Sequence, residues 1–406
     1  MHTSANIRIP HDQIPREEPR ASARPVLRTL LRVLILLAGT LTGCAPSRYQ
    51  NSTAFIERDI RASQDEIETV MFKASILVPA RDILTLDPLR RALRPVEAWN
   101  ADGPGVRDSS FYTNRTPEEL TSERVAVGPC TMAPPQPPYR IKKVQKHGGG
   151  CRGFIGTDAL GRTFLFKLDN PRYPELGSTA SIVGSRILWA LGYNVPAIFL
   201  VSVEGTGDER FDGRRATAAL FIDDVQGHFH FDWFRHRREL RGLRLASAWI
   251  NDTDRIGTNT LVVVRDGRAT YYLIDFNSCL GSWQGRPKKP WRGHRHAWDP
   301  LPLPPTPPPP ILSPALGRLA ADFHPRRWRP QAPNNAFNHI TPTDAAWMIA
   351  KLSQLDREHI EAIVAEANLS NPDDVQTLVD TLMQRRAAIL SLPKDTDQPP
   401  EPSEGT

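Results

Sequence analysis

The sequence predicts an α+β fold in which a strand-rich part precedes a helical part. Short stretches with alternating apolar and polar residues dominate residues 139–274, as expected for half-buried strands. Residues 339–392 instead carry apolar residues at helical spacing behind three helix start signals. The chain of 406 residues is long enough to bury a full core.

Residues 1–43 have the pattern of an export signal. Arginines between Arg20 and Arg32 precede the apolar run VLILLAGTL, and Leu-Thr-Gly then leads directly to Cys44. This ending resembles the bacterial lipobox, which implies cleavage before Cys44 and acylation of that cysteine. The apolar run is shorter than the ~20 residues that cross a bilayer. The sequence therefore predicts a lipid-anchored protein of the bacterial cell envelope. Because Ala45 follows the cysteine, the outer membrane is favoured over the inner if the host is Gram-negative.

The charge of the chain argues against a nucleic-acid partner. It holds 51 basic and 45 acidic residues, a net charge of +6, but six arginines and three acids fall within residues 1–43. Without them the balance is 45 basic to 42 acidic residues, or +3, so no nucleic acid is expected to bind. Cys130, Cys151 and Cys279 lack metal-site spacing, and the sequence does not decide which two of them could form a disulfide.

The rest of the chain divides into five predicted segments. These are a tether and N-terminal extension (44–107), an N-terminal lobe with the catalytic core (108–283), a Pro/Arg-rich insert (284–338), C-terminal helices (339–392) and a disordered tail (393–406).

Local signals place the elements of the core segment. Thr116 is expected to cap a helix, and a second helix should start at Ser178 or Thr179 and stop at Gly192. Hairpins are predicted around the DALG turn and around the Asp-Gly of VVVRDGRATYYLI.

Four polar residues have the order and spacing that phosphoryl transfer requires. This chemistry needs a lysine on the phosphates, a carboxylate for the attacking hydroxyl, and an Asn with a further Asp on magnesium. Asp254 and Asn259 are separated by four residues, and a hairpin then leads to Asp275. Upstream, Lys167 is centred in a predicted strand. Asp and Asn also brace ordinary turns, and Asp252 is the second candidate for the base.

Glycines ahead of the lysine strand are candidates for phosphate contact. Gly149, Gly150 and Gly153 would let backbone amides approach a phosphate closely. A flexible turn is the alternative interpretation of the same HGGG stretch.

Together these motifs resemble the atypical kinase fold of the HipA-type toxin kinases and the phosphatidylinositol kinases. TFLFKL, RILWALGYNVP, NDTDRIGTN and YLIDF carry this resemblance, and DSSFYTNR, KHGGGCRGFIG, YYLIDFNSCLGS, HAWD and PNNAF are similar to secreted bacterial proteins of unassigned activity with such a domain. The similarity spans roughly residues 108–389. It implies a kinase-like bilobal fold and an ATP- and Mg²⁺-dependent phosphotransferase. It also implies Asp254 as base, Asn259 and Asp275 on the metal, and Lys167 on the phosphates.

Three positions depart from the pattern of these kinases. Ile256 replaces the His that follows Asp-Arg in phosphatidylinositol kinases, and Asn277 replaces the usual Gly after Asp-Phe. Ser181 stands where a helix should offer the lysine a glutamate, and Glu175 could substitute only if that helix starts earlier. An exported site is also poor in ATP. Two functions therefore stay open: phosphotransfer to a protein, lipid or glycan hydroxyl, or a catalytically lapsed kinase-fold scaffold at the envelope.

Three basic clusters remain, RHRRELRGLR, RPKKPWRGHRH and RRWR. Such runs are usually solvated surface. The alternative is an acidic partner such as an anionic lipid, a cell-wall polymer or a phosphorylated substrate.

Overall fold

Strands dominate the described chain before residue 274, and helices dominate it after residue 334. The structure, a computed structural model, describes residues 60–85, 89, 91, 93, 95–145, 152–296 and 307–392. These residues belong to one compact unit, Tyr49–Thr406. The predicted signal peptide with Cys44, the glycines Gly149 and Gly150, Cys151 and the predicted tail lie outside the described residues.

The strands are β1 (Ala101–Asp102), β2 (Gly105–Val106), β3 (Arg140–Val144), β4 (Gly153–Thr157), β5 (Thr163–Leu168), β6 (Ile198–Ser202), β7 (Arg215–Leu220), β8 (Val225–Gly227), β9 (Thr260–Arg265), β10 (Arg268–Leu273), β11 (Ser282–Trp283), β12 (Arg286–Pro287), β13 (Ile311–Ser313) and β14 (Gly317–Arg318).

The helices are α1 (Ile67–Phe72), α2 (Val78–Leu84), α3 (Ser122–Val127), α4 (Leu176–Ala190), α5 (Arg238–Trp249), α6 (Asn335–Asn338), α7 (Pro342–Leu352), α8 (Arg357–Ala365) and α9 (Pro372–Leu390), with a π-helical Lys73–Leu77 between the first two. None of the described helices combines the length and apolar content needed to cross a bilayer.

A five-stranded antiparallel sheet of order β3-β4-β5-β7-β6 forms the N-terminal lobe. Side chains of β5 alternate between its faces, so Phe164 and Phe166 enter a buried aromatic cluster. Leu165 and Lys167 consequently lie on the opposite face of the sheet. The helices after residue 334 form a second lobe around α5, which confirms the α+β class with a strand-rich N-terminal lobe and a helical C-terminal lobe.

Both predicted hairpins are confirmed. β4 and β5 pair across the DALG turn, and β9 and β10 pair across Asp266 and Gly267. Asp266 and Gly267 have φ of 50° and 73°, the two left-handed positions that a type I′ turn requires. The second hairpin thereby carries the chain from Asn259 to the residues that follow Leu273.

The helix predicted behind Thr116 is wrong in detail. Thr116 does form a capping box, but it caps a single 3-10 turn, Pro117–Glu119. The α-helix α3 starts later, where the side chain of Thr121 accepts a hydrogen bond from the backbone N–H of Arg124. Two short helical starts in succession, each with a Thr cap, account for the difference.

The start of α4 also differs from the prediction. The helix begins at Leu176 with Glu175 at the N-cap, ahead of the predicted caps Ser178 and Thr179. Asp169, directly after β5, accepts hydrogen bonds from the backbone N–H and the hydroxyl of Ser178 at 2.8 and 2.6 Å. The Asp169 carboxylate, which lies outside the helix, thus accepts the hydrogen bond of a free N–H in the first turn. Ser178 therefore lies within that turn and does not cap the helix. The predicted stop is confirmed, since Gly192 follows the helix with a φ of 108°.

The first basic cluster is not a solvated surface, contrary to the sequence interpretation. Arg238 and Arg241 on α5 are buried, and both guanidinium groups pair with the fully buried Asp344 at 3.1 Å. Asp344 also belongs to the capping box of α7. These charges therefore join α5 to α7 inside the helical lobe.

Described parts of the predicted insert pack against the protein core. Leu316, Leu319 and Trp328 are buried, and the Trp328 Nε1–H donates to Asn251 Oδ1 at 3.0 Å. Residues 307–310, all proline, are mostly exposed. The insert thus brings the second and third basic clusters beside the loop that follows α5.

The two described cysteines of the core are free thiols. Cys130 is partly buried, and its thiol donates to the carbonyl of Ile198 at 3.3 Å. Cys279 is fully buried, where burial raises the pKa of its thiol. No disulfide therefore joins Cys130 to Cys279.

Candidate active site

A cavity of about 1170 Å³ lies between the N-terminal sheet and the segments that follow α5 and β10. One wall is apolar and is formed mainly by the face of the N-terminal sheet on which Leu165 lies. Its apolar members are Ile155, Leu165, Pro196, Ile198, Ala219, Leu220, Phe221, Leu261 and Ile274. The polar wall combines Lys167, from the same sheet face, with Asn259 and Asp275 from the segments across the cavity. Three of the four residues predicted for phosphoryl transfer are therefore brought together in one cavity.

Lys167 is paired with Asp275. The Lys167 Nζ lies 2.8 Å from Asp275 Oδ1, and both side chains are partly exposed. Asp275 has a φ of 58°, a left-handed conformation that is uncommon outside glycine and that recurs at functional sites. This backbone turn, just after β10, lets the carboxylate lie beside the end of β5.

No glutamate of α4 reaches the lysine. Ser181 is buried beside the cavity, and its hydroxyl donates to the carbonyl of Gly177 at 2.9 Å. Glu175 is the N-cap of this helix, but its carboxylate accepts hydrogen bonds from the backbone N–H of Ser370 at 3.2 and 3.3 Å. The carboxylate that pairs with Lys167 is therefore that of Asp275, and the resemblance to kinases did not imply this ion pair.

Arg255 holds the loop that carries the candidate base. Its guanidinium pairs with Asp252 at 2.6 Å and donates to the carbonyls of Asn259 and Ile274 at 2.8 Å each. Arg255 and Asp252 are both fully buried. Because its carboxylate is used by Arg255 and has no access to solvent, Asp252 is less suited to the base role than Asp254. Arg255 is thus a positioning residue that sequence reasoning missed, although it lies inside the quoted motif.

Asp254 lies behind the polar wall, with 7% of its surface exposed. Burial, with the nearby charges of Asp275 and Asp252, raises the pKa of its carboxyl to about 7. The Asn259 side chain donates from Nδ2 to the Asp254 carbonyl at 2.7 Å and closes the loop between them. A carboxylate that titrates near neutrality next to a polar cavity is suited to general-base chemistry. Asp254 itself does not line the cavity in this structure.

The donor set of the polar wall fits a magnesium ion. Asp275 Oδ1 is buried, and its partner among the described residues is the Lys167 ammonium of the ion pair. Asn259 lines the same cavity, and its bond to the Asp254 carbonyl uses the amide nitrogen and not the side-chain oxygen. Mg²⁺ is commonly held by one or two protein oxygens together with substrate phosphates. Among the described residues, no group of three His, Cys, Asp or Glu could hold a metal.

The structure gives Gly153 a packing role. A Cβ atom at this position would lie 2.1 Å from the Phe166 carbonyl oxygen, so glycine permits the close pairing of β4 with β5 opposite Lys167. Lys143, Val144 and Gln145 of the preceding segment line the cavity, and the chain toward Gly149 and Gly150 continues from there outside the described residues. Phosphate contact by these glycines stays a prediction.

The residues that follow β7 also line the cavity and were not predicted. Phe221, Ile222, Asp223, Asp224 and Val225 form this part of the wall. They join the N-terminal sheet to β8 of the small sheet β10-β9-β8. The change from the apolar run ATAALFI to two aspartates was the available sequence signal.

The structure defines an α+β protein with a strand-rich and a helical lobe and a cavity beside the N-terminal sheet. The chain is similar to the Helicobacter pylori proinflammatory kinase CtkA at 11% identity and a TM-score of 0.40, over 63% of this chain and 96% of that one. It is similar to the Golgi casein kinase at 10% identity and a TM-score of 0.35, over 82% and 92%. The Golgi casein kinase with Mn/ADP bound gives 11% identity and a TM-score of 0.24, over 82% and 94%. No family model and no curated protein matches the sequence.

Proposed function

We propose that this protein is an ATP-dependent phosphotransferase held at the bacterial cell envelope. The observation that carries the proposal is the convergence of Lys167, Asn259 and Asp275 on one cavity beside an apolar slot. The apolar wall suits a purine ring, and the polar wall suits phosphates with a magnesium ion. In the ion pair Lys167 faces an anion, as it would face the phosphates of a bound nucleotide. Asp275 faces a cation, as it would face the metal ion.

Each polar residue has a distinct role in the proposed reaction. Lys167 would bind phosphate oxygens of ATP, and Asn259 and Asp275 would hold Mg²⁺, which would neutralise charge on the transferred phosphate. Asp254 accepts the proton of the acceptor hydroxyl while the hydroxyl oxygen bonds to the γ-phosphorus and the bond to ADP breaks. Arg255 keeps Asp254, Asn259 and the chain before Asp275 in register through its buried hydrogen bonds.

Replacing Lys167 with Met tests this proposal. Loss of a charge-assisted contact worth about 1.5–3 kcal/mol should weaken Mg-ATP binding by roughly 10- to 100-fold. Calorimetric titration of residues 45–406 measures the effect, and Lys142→Met is the matched control because Lys142 is exposed and its amine donates to Thr163. Equal affinity of the Lys167→Met variant and the wild type would contradict the proposal.

The alternative is a lapsed kinase fold that serves as an envelope scaffold. Ser181, in place of a glutamate on α4, is the observation that favours it, because an active lysine would then be oriented only through Asp275. Nucleotide binding with no phosphate transfer to any hydroxyl, water included, would support this alternative.

The envelope location is proposed from the sequence signal at Cys44. It makes proteins, lipids and glycans of the envelope the candidate acceptors, and it requires a phosphate donor that reaches that compartment. Mass spectrometry of the mature N-terminus is the direct measurement. A lipid-modified Cys44 would support anchoring, whereas retention of residues 1–43 would contradict it.

A further inference from the structure

A second cavity, of about 620 Å³, lies beside the loop that carries Asp254. Asn251, three residues before Asp254, forms part of its wall, and the prolines of residues 307–310 form another part. The backbone N–H of Gln331 donates to the carbonyl of Thr253 at 2.7 Å, which ties the insert to the same loop. This cavity is therefore built from the insert and the end of α5, and it is separate from the nucleotide cavity.

The wall of the second cavity is strongly basic. Its lining includes Lys289, Arg292, Arg318, Arg327 and Arg385, against the single lining carboxylate of Asp322. Lys289 and Arg327 are exposed and form no ion pair with a described residue. Five cations facing one carboxylate leave a positive potential inside a concave surface, which attracts anions.

Arg385 places an uncompensated charge at this wall. Its side chain is 2% exposed, and its guanidinium donates to the backbone carbonyls of Ala248, Trp249 and Ala320. Within the described chain no carboxylate pairs with it. Burial of a cation without a carboxylate is costly, so an anion bound in the cavity would stabilise this arrangement.

Arg292 connects the second cavity to the candidate base. Its guanidinium lies 3.1 Å from the ring centre of Trp283, and its Nε–H is buried without a hydrogen-bond partner among the described residues. The charge of Arg292 also lowers the pKa of Asp254, against the larger raising effect of burial. Arg292 is therefore a residue of the second cavity whose charge acts on Asp254.

We propose that the second cavity binds an anionic group of the acceptor, a phosphate or a carboxylate, and holds its hydroxyl near Asp254. The assignment of the bound molecule as the acceptor rests on the proposed phosphotransfer. The anion site itself rests on the cavity alone. The volume admits a small molecule or a short extended segment, and it is too small for a folded domain.

Titration with inorganic pyrophosphate and with citrate, without divalent metal, tests the site. The experiment uses residues 45–406, which contain the whole compact unit Tyr49–Thr406. We expect the wild type to bind at least one anion and the variant Lys289→Gln/Arg327→Gln to bind it about tenfold more weakly. The anion that binds more tightly identifies phosphate or carboxylate as the group recognised.

Two controls separate the cavities. Arg140→Gln/Arg268→Gln removes two exposed cations elsewhere and should leave anion binding unchanged. Lys167→Met should also leave it unchanged, because Lys167 lines the other cavity. Absence of binding in the wild type, equal binding by Lys289→Gln/Arg327→Gln, or loss in Lys167→Met would overturn the inference. Anion binding without Mg-ATP binding would instead overturn the proposed function and leave the anion site in place.

Discussion

Asp254→Asn is expected to lower phosphate transfer from ATP by about 10²- to 10⁴-fold, the range typical of a lost general base. The asparagine keeps the size of the side chain but cannot accept a proton from the acceptor hydroxyl. Asn259 bonds to the backbone carbonyl of residue 254, so the loop should keep its form and nucleotide binding should persist. Release of labelled phosphate to water or to the protein itself provides the readout while the acceptor is unidentified.

The same substitution should make the protein more stable at alkaline pH. Burial raises the pKa of Asp254 from 3.8 to about 7, so its contribution to stability is fully present below pH 3.8 and is lost as pH rises through 7. The asparagine variant does not titrate and therefore does not lose this stability as the pH rises. The gain in free energy of unfolding should therefore grow between pH 4 and pH 7 at about 1.4 kcal/mol for each pH unit. Urea unfolding at pH 5 and pH 8 measures it, and a variant that is both inactive and less stable at pH 8 would contradict the role assigned to Asp254.

Asp252→Ala should have the opposite effect on stability. It leaves Arg255 fully buried without its carboxylate, and breaking a buried pair in this way costs about 3–5 kcal/mol of unfolding free energy. The carbonyls of Asn259 and Ile274 remain as partners of Arg255 but supply no negative charge.

An exposed ion pair offers the matched control for Asp252. Asp380 pairs with Arg357 at 2.7 Å on the surface, where solvent screens the charges, so Asp380→Ala should cost far less than Asp252→Ala. Denaturant midpoints of the two variants compare the buried and exposed pairs directly. A loss for Asp252→Ala as small as that for Asp380→Ala would mean that Arg255 does not depend on its partner.

Local patterns in the sequence were enough to predict much of the fold. The β9–β10 hairpin followed from an Asp-Gly dipeptide between alternating strands, because the turn type is decided by two adjacent residues. The start of α4 was not predictable in this way, since the group that satisfies its first turn is Asp169, nine residues before Ser178. The buried arginines of α5 were missed because their partner Asp344 lies about a hundred residues later.

The candidate site shows the same division. Order and spacing selected Lys167, Asn259 and Asp275, which the fold brings to one cavity. Spacing ranked Asp254 ahead of Asp252, but it could not show that the Asp252 carboxylate pairs with Arg255 or that Asp254 lies behind the cavity wall. Nor could it show that Lys167 pairs with Asp275, because this contact depends on the packing of the sheet against the second hairpin.

A thermal unfolding measurement with nucleotide and metal tests the central claim most directly. Residues 45–406 would be heated with ATP, GTP or ADP, each with and without Mg²⁺ or Mn²⁺, beside the Asp275→Ala variant. At about 100 times its dissociation constant a nucleotide should add about 2.7 kcal/mol of stability, seen as a raised Tm. The account predicts a metal-dependent rise in the wild type that Asp275→Ala lacks. No rise with any nucleotide, or an equal rise in both proteins, would contradict it.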